Sequence, residues 1–174
     1  MENIRITSGN LRGRSIKSPK SSLTHPMGSR EKLALFNMIS AYLPSARVLD
    51  AFAGSGALGI EAISRGVAGV VFVEKSAQVA RAIKENLANL GISSQGEVIC
   101  GDATKYDTKE KFQVILADPP YDKFEDFDLN SLAGLLDEEG ILVLSHPGEA
   151  PQLTGLNLLK TSSYAGAKIS LYRR

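Results

Sequence analysis

The chain is poor in the residues that build disulfides and metal sites. It has a single cysteine, Cys100, so no internal disulfide can form and no second thiol is available to hold a metal. Because Cys100 lies in the apolar stretch EVICGD, we expect a buried core thiol. The two histidines, His25 and His146, do not stand in a metal-ligand spacing with cysteine or with each other. We expect loop or capping roles for both, and no metal site.

Long apolar runs are also missing. No stretch approaches the roughly 20 apolar residues of a membrane span, and the amino-terminal MENIRITSGNLRGR lacks the apolar core of a secretory signal. We therefore expect a cytoplasmic protein that does not associate with a membrane. The 174 residues, 43% of them hydrophobic, suffice for one sizeable core but not for two ordinary ones. With no evident coiled coil, we expect a monomer.

The net charge of +1 conceals an uneven distribution. Residues 1–32 carry seven basic and two acidic side chains, a net of +5, whereas residues 33–174 carry 13 and 17, a net of −4. A basic arm on an acidic body is typical of local attraction to a polyanion, which extends over a Debye length of about 8 Å at physiological salt. On charge alone, a solvated terminus explains the pattern equally well.

The pattern of apolar residues predicts an α/β protein. β-Branched residues flank Ser8-Gly9-Asn10 and predict a short hairpin, and Ser29 is a candidate cap for a helix over 30–43. Near-continuous apolar runs then alternate with helical patterns, which predicts a parallel sheet covered on both faces. The predicted strands are 47–53, 69–74, 97–102, 112–118 and 140–145, and the predicted helices are 57–65, 76–90 and 125–138. Residues 156–174 predict two more strands around Ala165-Gly166-Ala167, as an antiparallel hairpin at the sheet edge. We divide the chain into a basic extension, 1–28, and one domain, 29–174.

Four successive predicted strands end in acids, at the edge where doubly wound sheets bind ligands. The acids are Asp50, Glu74, Asp102 and Asp118. The segment 54–59 matches G-x-G-x-x-G, and Glu74 follows the first glycine by 20 residues. Taken alone, this motif fits NAD and S-adenosylmethionine equally, and a tight turn with Gly59 serving helix packing explains it too. Asp50 would repel a pyrophosphate and suits a cationic ligand, which favours S-adenosylmethionine.

The stretch VILADPPYDKF ends a strand in an unusually stiff turn. Asp118 precedes two prolines, so it is held extended, and neither prolyl nitrogen can donate a hydrogen bond. A fixed side-chain oxygen beside a fixed backbone carbonyl suits the two N–H groups of a nucleobase amine, and would aim the nitrogen lone pair at a methyl donor. Tyr121 would stack on the unpaired or flipped base. The alternative is a proline-stiffened loop with a packed tyrosine.

These motifs together resemble a known family. VLDAFAGSGALGIEA, FVEKS, GDA and LADPPY resemble the class I S-adenosylmethionine-dependent methyltransferases, and Asp-Pro-Pro-Tyr is similar to the amine-methylating ones. With RITSGNLRGRSI and LFNMI, the resemblance is to the bacterial 16S ribosomal RNA guanine-N2 methyltransferases and covers nearly the whole chain. It implies a Rossmann-like fold with a mostly parallel seven-stranded sheet and a small amino-terminal β-hairpin. It also implies methyl transfer to the N2 amine of a guanine in 16S ribosomal RNA, within a partly assembled small ribosomal subunit.

The resemblance also implies three groups of site residues. The cofactor-binding residues are Asp50, Phe52, Ala53, Gly54, Ser55, Gly56, Glu74, Lys75, Asp102, Ala103 and Asp118. The catalytic residues are Asp118, Pro119, Pro120 and Tyr121, and the RNA-binding residues are Arg5, Arg12, Arg14, Lys17, Arg30 and Lys32. The chain departs from the family pattern at His25, Met27 and Leu33, which replace an arginine, a threonine and a glutamate. Ser145 stands where an acid is common at the end of the fifth strand.

Three other functions stay open at this point. An adenine-N6 methyltransferase on RNA or DNA also uses Asp-Pro-Pro-Tyr, although we see no target-recognition domain of the kind that a sequence-specific DNA enzyme needs. A catalytically silent RNA-binding assembly factor would retain the cofactor fold without activity. An NAD oxidoreductase would bind a nicotinamide cofactor at the same glycines.

Overall fold

The computed structural model of the chain describes residues 2–19, 27–164 and 167–174. The predictions for His25 and for the turn residues Ala165 and Gly166 therefore lie outside the described residues. The strands are β1 (Glu2–Arg5), β2 (Ser15–Ser18), β3 (Arg47–Asp50), β4 (Gly69–Glu74), β5 (Gly96–Cys100), β6 (Phe112–Ala117), β7 (Leu136–His146), β8 (Asn157–Tyr164) and β9 (Ala167–Arg173). The helices are α1 (Ser29–Met38), α2 (Ala57–Ser64), α3 (Ala77–Leu90) and α4 (Asn130–Ala133).

Seven strands form one sheet in the order β5-β4-β3-β6-β7-β9-β8. Strands β3 to β7 pair in parallel, and β9 runs antiparallel between β7 and the edge strand β8. The predicted mostly parallel seven-stranded sheet is confirmed. Strand order reverses at β3, which has β4 on one side and β6 on the other, and such a switch point opens a crevice for a ligand.

The core lies on both faces of the sheet because β4 and β6 are apolar at nearly every position and Val48 and Leu49 of β3 are buried on opposite faces. One face packs against α1, α2, α3 and the β1–β2 hairpin, and the other against α4 and the segments around it. Along β6, Val114 and Leu116 point to the first face, and Ile115 and Ala117 to the second. None of the helices in the described ranges is long and apolar enough to span a membrane.

Helix α3 follows its sequence signals. The Ser76 hydroxyl accepts from the Val79 N–H at 3.4 Å, which caps the first turn, and Gly91 ends the helix in the left-handed region with φ +73°. Ile83, Leu87 and the last residue of the helix are buried, as the apolar spacing predicts. Val79 is only half-buried, because it faces the cavity described below.

The predicted helix over 125–138 is wrong. A 3₁₀ turn covers Tyr121–Asp126, the short α4 follows, and β7 already begins at Leu136. The Asp128 carboxylate accepts the Asn130 N–H at 3.1 Å, so the acid starts a new helix instead of continuing one. Leu136 is buried opposite Phe112 of β6, and this pairing outweighs the local helical pattern.

Three smaller predictions also fail. Ser29 does not cap α1, because it is the first helical residue and Gly28 occupies the cap position without a side-chain bond. Cys100 is exposed, not buried, because β5 is the other edge strand of the sheet. His146 is neither a loop nor a capping residue: it is the last residue of β7, fully buried, with Nε2 2.8 Å from the Ser170 hydroxyl.

The amino-terminal hairpin, predicted from residues 4–16, is present as β1 and β2, and it docks on α2. The buried Glu61 carboxylate accepts from the Thr7 N–H at 2.9 Å, the Thr7 hydroxyl at 2.7 Å and the Ser8 N–H at 3.0 Å. Burial raises the pKa of Glu61, but the hydrogen bonds from Thr7 and the charge of Lys32 outweigh it and lower the pKa below its usual value. Ile6 and Ile16 of the hairpin join the same core as α1 and α2. The boundary between 28 and 29 stays a prediction.

Candidate active site

A cavity of about 440 Å³ opens where β3, β4, β5 and β6 end. Its size suits a small molecule or a cofactor. Seven of the predicted cofactor residues line it: Phe52, Gly54, Glu74, Lys75, Asp102, Ala103 and Asp118. The carboxyl ends of four neighbouring parallel strands therefore meet at one site, as the acid pattern predicts.

Glu74 ties the second strand end to the glycine turn. One carboxylate oxygen accepts from the Gly54 N–H at 2.9 Å and the other from the Ser76 N–H at 2.7 Å. Each oxygen keeps a lone pair, so the carboxylate can still accept from a ligand hydroxyl. Gly54 has φ +50° and nothing lies within 4 Å of the place where a Cβ would stand, which keeps this part of the cavity open.

Asp102 is held as an ionised acceptor at the end of β5. It accepts from the Thr104 hydroxyl at 2.8 Å and the Thr104 N–H at 3.0 Å, and the Lys75 ammonium is 3.5 Å from its other oxygen. The Thr104 hydrogen bonds, followed by the Lys75 charge, lower the pKa of Asp102, although burial opposes them. A carboxylate in this state can accept from an amine of a ligand.

Four predicted cofactor residues build the turn under the cavity and do not line it: Asp50, Ala53, Ser55 and Gly56. Asp50 is 1% exposed, and its carboxylate accepts from the Gly59 N–H at 2.9 Å. Burial raises the pKa of Asp50 to about 7; the Gly59 bond opposes the rise, and the charges of Asp118 and Glu74 add to it. Gly59 itself packs α2 on β4, because a Cβ there would lie 2.2 Å from the Phe72 ring.

Asp118 and its neighbours form one side of the cavity mouth. Asp118 and Pro120 line the cavity, Pro119 is buried, and the Tyr121 ring is 36% exposed beside it. Burial raises the pKa of Asp118 to about 6, and a hydrogen bond with Ser145 lowers it in part. The Tyr121 hydroxyl also hydrogen-bonds the Ser145 hydroxyl. Burial raises the pKa of the Tyr121 phenol, so the phenol is neutral at physiological pH.

Several residues at the site were missed from the sequence. The further lining residues are Ser18, Pro19, Ala51, Val73, Ser76, Gln78, Val79, Gly101, Asp122, Lys123 and Phe127. Phe127 packs edge-on against Phe52 at 5.0 Å between ring centroids, which forms an apolar wall. Ser145 was visible only as a departure from the family pattern. No sequence signal indicates that Ser18 and Pro19, at the end of β2, reach the cavity.

Five of the six predicted RNA-binding residues have exposed side chains. Arg5, Arg12, Lys17 and Arg30 have exposed side chains on the hairpin and at the start of α1. Arg14 is exposed too, but its guanidinium donates to the Leu90 and Asn89 carbonyls at 3.1 and 2.9 Å, at the end of α3.

The assignment of Lys32 to RNA binding is wrong. Its side chain is 2% exposed, and its ammonium lies 3.2 Å from Glu61 and donates to the Arg5 carbonyl at 2.9 Å. Removing this cation would leave the buried Glu61 carboxylate with Arg65 as its one remaining ion-pair partner among the described residues, so Lys32 anchors the hairpin and cannot reach a nucleic acid.

Comparison with known proteins gives consistent matches. Residues 4–173 match the family described as Conserved hypothetical protein 95. "Putative rRNA methyltransferase YlbH" of Bacillus subtilis is 32% identical over 185 residues, which cover 98% of this chain and 99% of that protein. Ribosomal RNA small subunit methyltransferase D of Haemophilus influenzae is 39% identical over 123 residues, 68% of this chain. That second match spans 64% of the relative, just under two thirds of its length.

The fold comparison agrees. The solved structure "Putative methyltransferase yhhF from Escherichia coli" superposes with a TM-score of 0.88 at 28% identity, over 99% of this chain and 98% of that one. The resemblance found in the sequence motifs is therefore confirmed, and the chain has the class I methyltransferase fold. Because the family match extends over residues 4–173, the chain belongs to the Conserved hypothetical protein 95 family, together with bacterial ribosomal RNA methyltransferases.

Proposed function

We propose that this protein transfers a methyl group from S-adenosylmethionine to the exocyclic N2 amine of a guanine in 16S ribosomal RNA. We further propose that its substrate is an assembling small ribosomal subunit. The names of the relatives support ribosomal RNA as the substrate. The observation that carries the proposal is the position of Asp118, at the mouth of a cavity whose wall holds Glu74 and Asp102.

The cavity fits the proposed cofactor. Glu74 would accept from the ribose hydroxyls and Asp102 from the adenine amine, while Phe127 and Val79 supply apolar surface for the adenosyl group. Burial raises the pKa of Asp50 and of Asp118, so this end of the site favours a positively charged ligand that would stabilise both carboxylates. When bound, S-adenosylmethionine supplies an electrophilic methyl group on a sulfonium cation.

Asp118 would act by accepting hydrogen bonds. An ionised carboxylate only accepts, and the nitrogens of Pro119 and Pro120 cannot donate, so the mouth of the cavity presents fixed acceptors. Both hydrogens of a guanine N2 amine would be held there, which draws the nitrogen lone pair out of the ring and orients it. The amine becomes strongly acidic only after methylation, and the proton can then leave to solvent. No strong base is required.

The substrate base must reach this mouth. The Tyr121 ring, 36% exposed, would stack on a guanine that is unpaired or flipped out of its helix. The exposed cations of the hairpin and α1, Arg5, Arg12 and Arg30, would contact the phosphate backbone around it.

The proposal is tested by supplying methyl-labelled S-adenosylmethionine with bare 16S ribosomal RNA, with isolated small subunits and with large-subunit RNA. We expect labelled N2-methylguanosine from the small-subunit samples, and more from subunits than from bare RNA. Label in N6-methyladenosine would indicate the adenine-specific alternative. A protein that binds the RNA and transfers no label to any sample would be the silent assembly factor.

A further inference from the structure

Ser145 lies beside the proposed catalytic acid although the mechanism above gives it no part. Strands β6 and β7 run parallel with Ala117 opposite Leu144, so the next pair along is Asp118 and Ser145. Paired residues of parallel strands point to the same face, and Ser145 is 2% exposed. A buried hydroxyl needs partners: the Tyr121 hydroxyl hydrogen-bonds it, and Asp118 lies beside it at the end of the neighbouring strand.

The chemistry of the three groups fixes the direction of their hydrogen bonds. An ionised Asp118 can only accept, so a hydrogen bond between these two neighbours must use the single proton of the Ser145 hydroxyl. The Ser145 oxygen then has only lone pairs to offer, and the Tyr121 hydroxyl must donate to it. In that arrangement the three groups form a one-way chain from Tyr121 through Ser145 to Asp118. It joins the proposed stacking ring to the proposed amine acceptor.

Ser145 is also part of a wider attachment at the end of β7. The 3₁₀ turn Tyr121–Asp126 follows the two prolines and is held to the domain by its aromatic residues. Tyr121 bonds Ser145, and the ring of Phe124 lies 6.2 Å from that of His146. Ser145 and His146, consecutive residues of β7, thus hold this 3₁₀ turn at the cavity mouth. Of the two aromatic residues, Tyr121 is the exposed one, so its ring depends on the bond to Ser145 for its orientation.

We propose that Ser145 is a positioning residue for methyl transfer, which holds the Tyr121 ring and the Asp118 acceptor at a fixed separation. This inference rests on the proposed function, since it assigns the two partners the roles given above. Loss of the hydroxyl leaves both groups present. It removes the link between them, so the target base loses orientation while the cofactor cavity is unchanged.

A double-mutant cycle tests the link. Ser145→Ala and Tyr121→Phe each break the chain, and Tyr121→Phe keeps the stacking ring. We expect each variant to lower kcat/KM for the RNA about tenfold, the size of one lost hydrogen bond. The double variant should equal Ser145→Ala alone, because the second change removes nothing further. Ser145→Thr, which keeps the hydroxyl, should restore most of the rate.

The pH dependence of kcat/KM distinguishes a positioning role of Ser145 from a role in packing alone. Without Ser145 the Asp118 carboxylate loses a donor, so the acidic limb of the Ser145→Ala profile should move to higher pH. Tyr121→Phe keeps that donor, and its limb should stay in place. The other charged groups near the mouth, Asp50, Glu74, Asp122 and Lys123, are the same in every variant. Ser162→Ala is the control: it removes a half-buried serine hydroxyl from the edge strand β8, outside the cavity mouth, and should leave the profile unchanged.

The outcomes are distinguishable. If the wild type methylates RNA and Ser145→Ala matches it in rate and pH profile, the inference is overturned and the proposed function stands. Multiplying effects, with the double variant about a hundredfold below wild type, would show that the two hydroxyls act independently and would also overturn it. If the wild type methylates no RNA, the proposed function fails and the inference fails with it. Binding of S-adenosylmethionine, measured by calorimetry, should be equal in all the variants.

Discussion

At the scale of single residues, Asp50 shows how the fold disfavours a charge beside its ligand site. Its carboxylate is 1% exposed, and burial raises its pKa from 3.8 to about 7. The folded state therefore binds more protons than the unfolded chain between these two values. The contribution of Asp50 to stability is then complete below about pH 4 and is lost as the pH rises through 7.

Asp50→Asn should remove this pH dependence. The amide oxygen can still accept from the Gly59 N–H, and no charge is buried. In the absence of cofactor we expect the variant to have a higher Tm than the wild type at pH 8, because its free energy of unfolding is larger by on the order of a few kcal/mol. The difference should shrink towards pH 5. Thermal unfolding at both pH values is the measurement, with the exposed Asp107→Asn as the control. Equal stabilities at pH 8 would show that an ionised Asp50 carboxylate does not destabilise the folded state.

At the scale of elements, the hairpin depends on a close approach between Gly9 and the end of α2. Gly9 has φ +81°, and a Cβ there would lie 1.7 Å from the Ser64 carbonyl oxygen. That carbonyl accepts from the Asn10 N–H at 2.8 Å, and the Ser64 hydroxyl accepts from the Leu11 N–H at 3.0 Å. A side chain at position 9 must therefore push the hairpin loop off the helix.

Gly13 provides a matched comparison. It has φ +87°, and the nearest atom to its Cβ position is the Arg5 guanidinium at 3.8 Å. Gly13→Ala should cost only the left-handed strain of about 1–2 kcal/mol. Gly9→Ala should cost at least about 2 kcal/mol more, because the bonds to Ser64 are lost as well. Urea unfolding measures both. Equal losses would mean that the loop does not need this contact.

The sequence predicts the parallel part of the fold well because its signals there are local. The apolar run of β4, the Ser76 cap and the Gly91 stop each act within a few residues, and β4 is predicted with its observed bounds. The segment 125–138 fails because Leu136 gains more from pairing with β6 than from a helix. That gain depends on a partner 24 residues away in the chain, which no local pattern reveals.

The candidate site, like the fold, is predictable from the sequence where its signals are local. The acids at the strand ends follow from the periodicity, and seven predicted cofactor residues do line the cavity. Lys32 could not be distinguished from the exposed cations, because its burial depends on Glu61, 29 residues further along the chain. Ser145 gave no chemical signal, since its partners are brought to it only by the pairing of β6 with β7.

At the scale of the whole molecule, the positive charge lies at one end of the chain and the acids elsewhere. Residues 1–32 have a net charge of +5 and residues 33–174 one of −4. The exposed cations of the hairpin and of α1 would neutralise phosphates, while the acidic body would not. The binding of RNA should therefore weaken steeply with salt.

Arg12→Ala should reduce the magnitude of the slope of log K against log salt concentration by about one, where K is the association constant for RNA, because one phosphate contact is lost. Lys160→Ala is the control, since Lys160 is exposed on the edge strand β8, far along the sheet from the hairpin. Titration of labelled 16S RNA at several salt concentrations gives both slopes. If the two variants changed the slope equally, the hairpin would not be the RNA contact.

The central claim is that Asp118 acts as a hydrogen-bond acceptor for the target amine and not as a base. Asparagine keeps an acceptor oxygen and cannot act as a base, so Asp118→Asn and Asp118→Ala separate the two roles. The measurement is the single-turnover rate of methyl transfer to small-subunit RNA, at saturating RNA and cofactor, from pH 5 to 9. We expect Asp118→Asn to stay within about tenfold of the wild type and to lose the acidic limb near pH 6, while Asp118→Ala falls by about 10²–10³ with RNA affinity retained. An Asp118→Asn protein as inactive as Asp118→Ala would contradict the account.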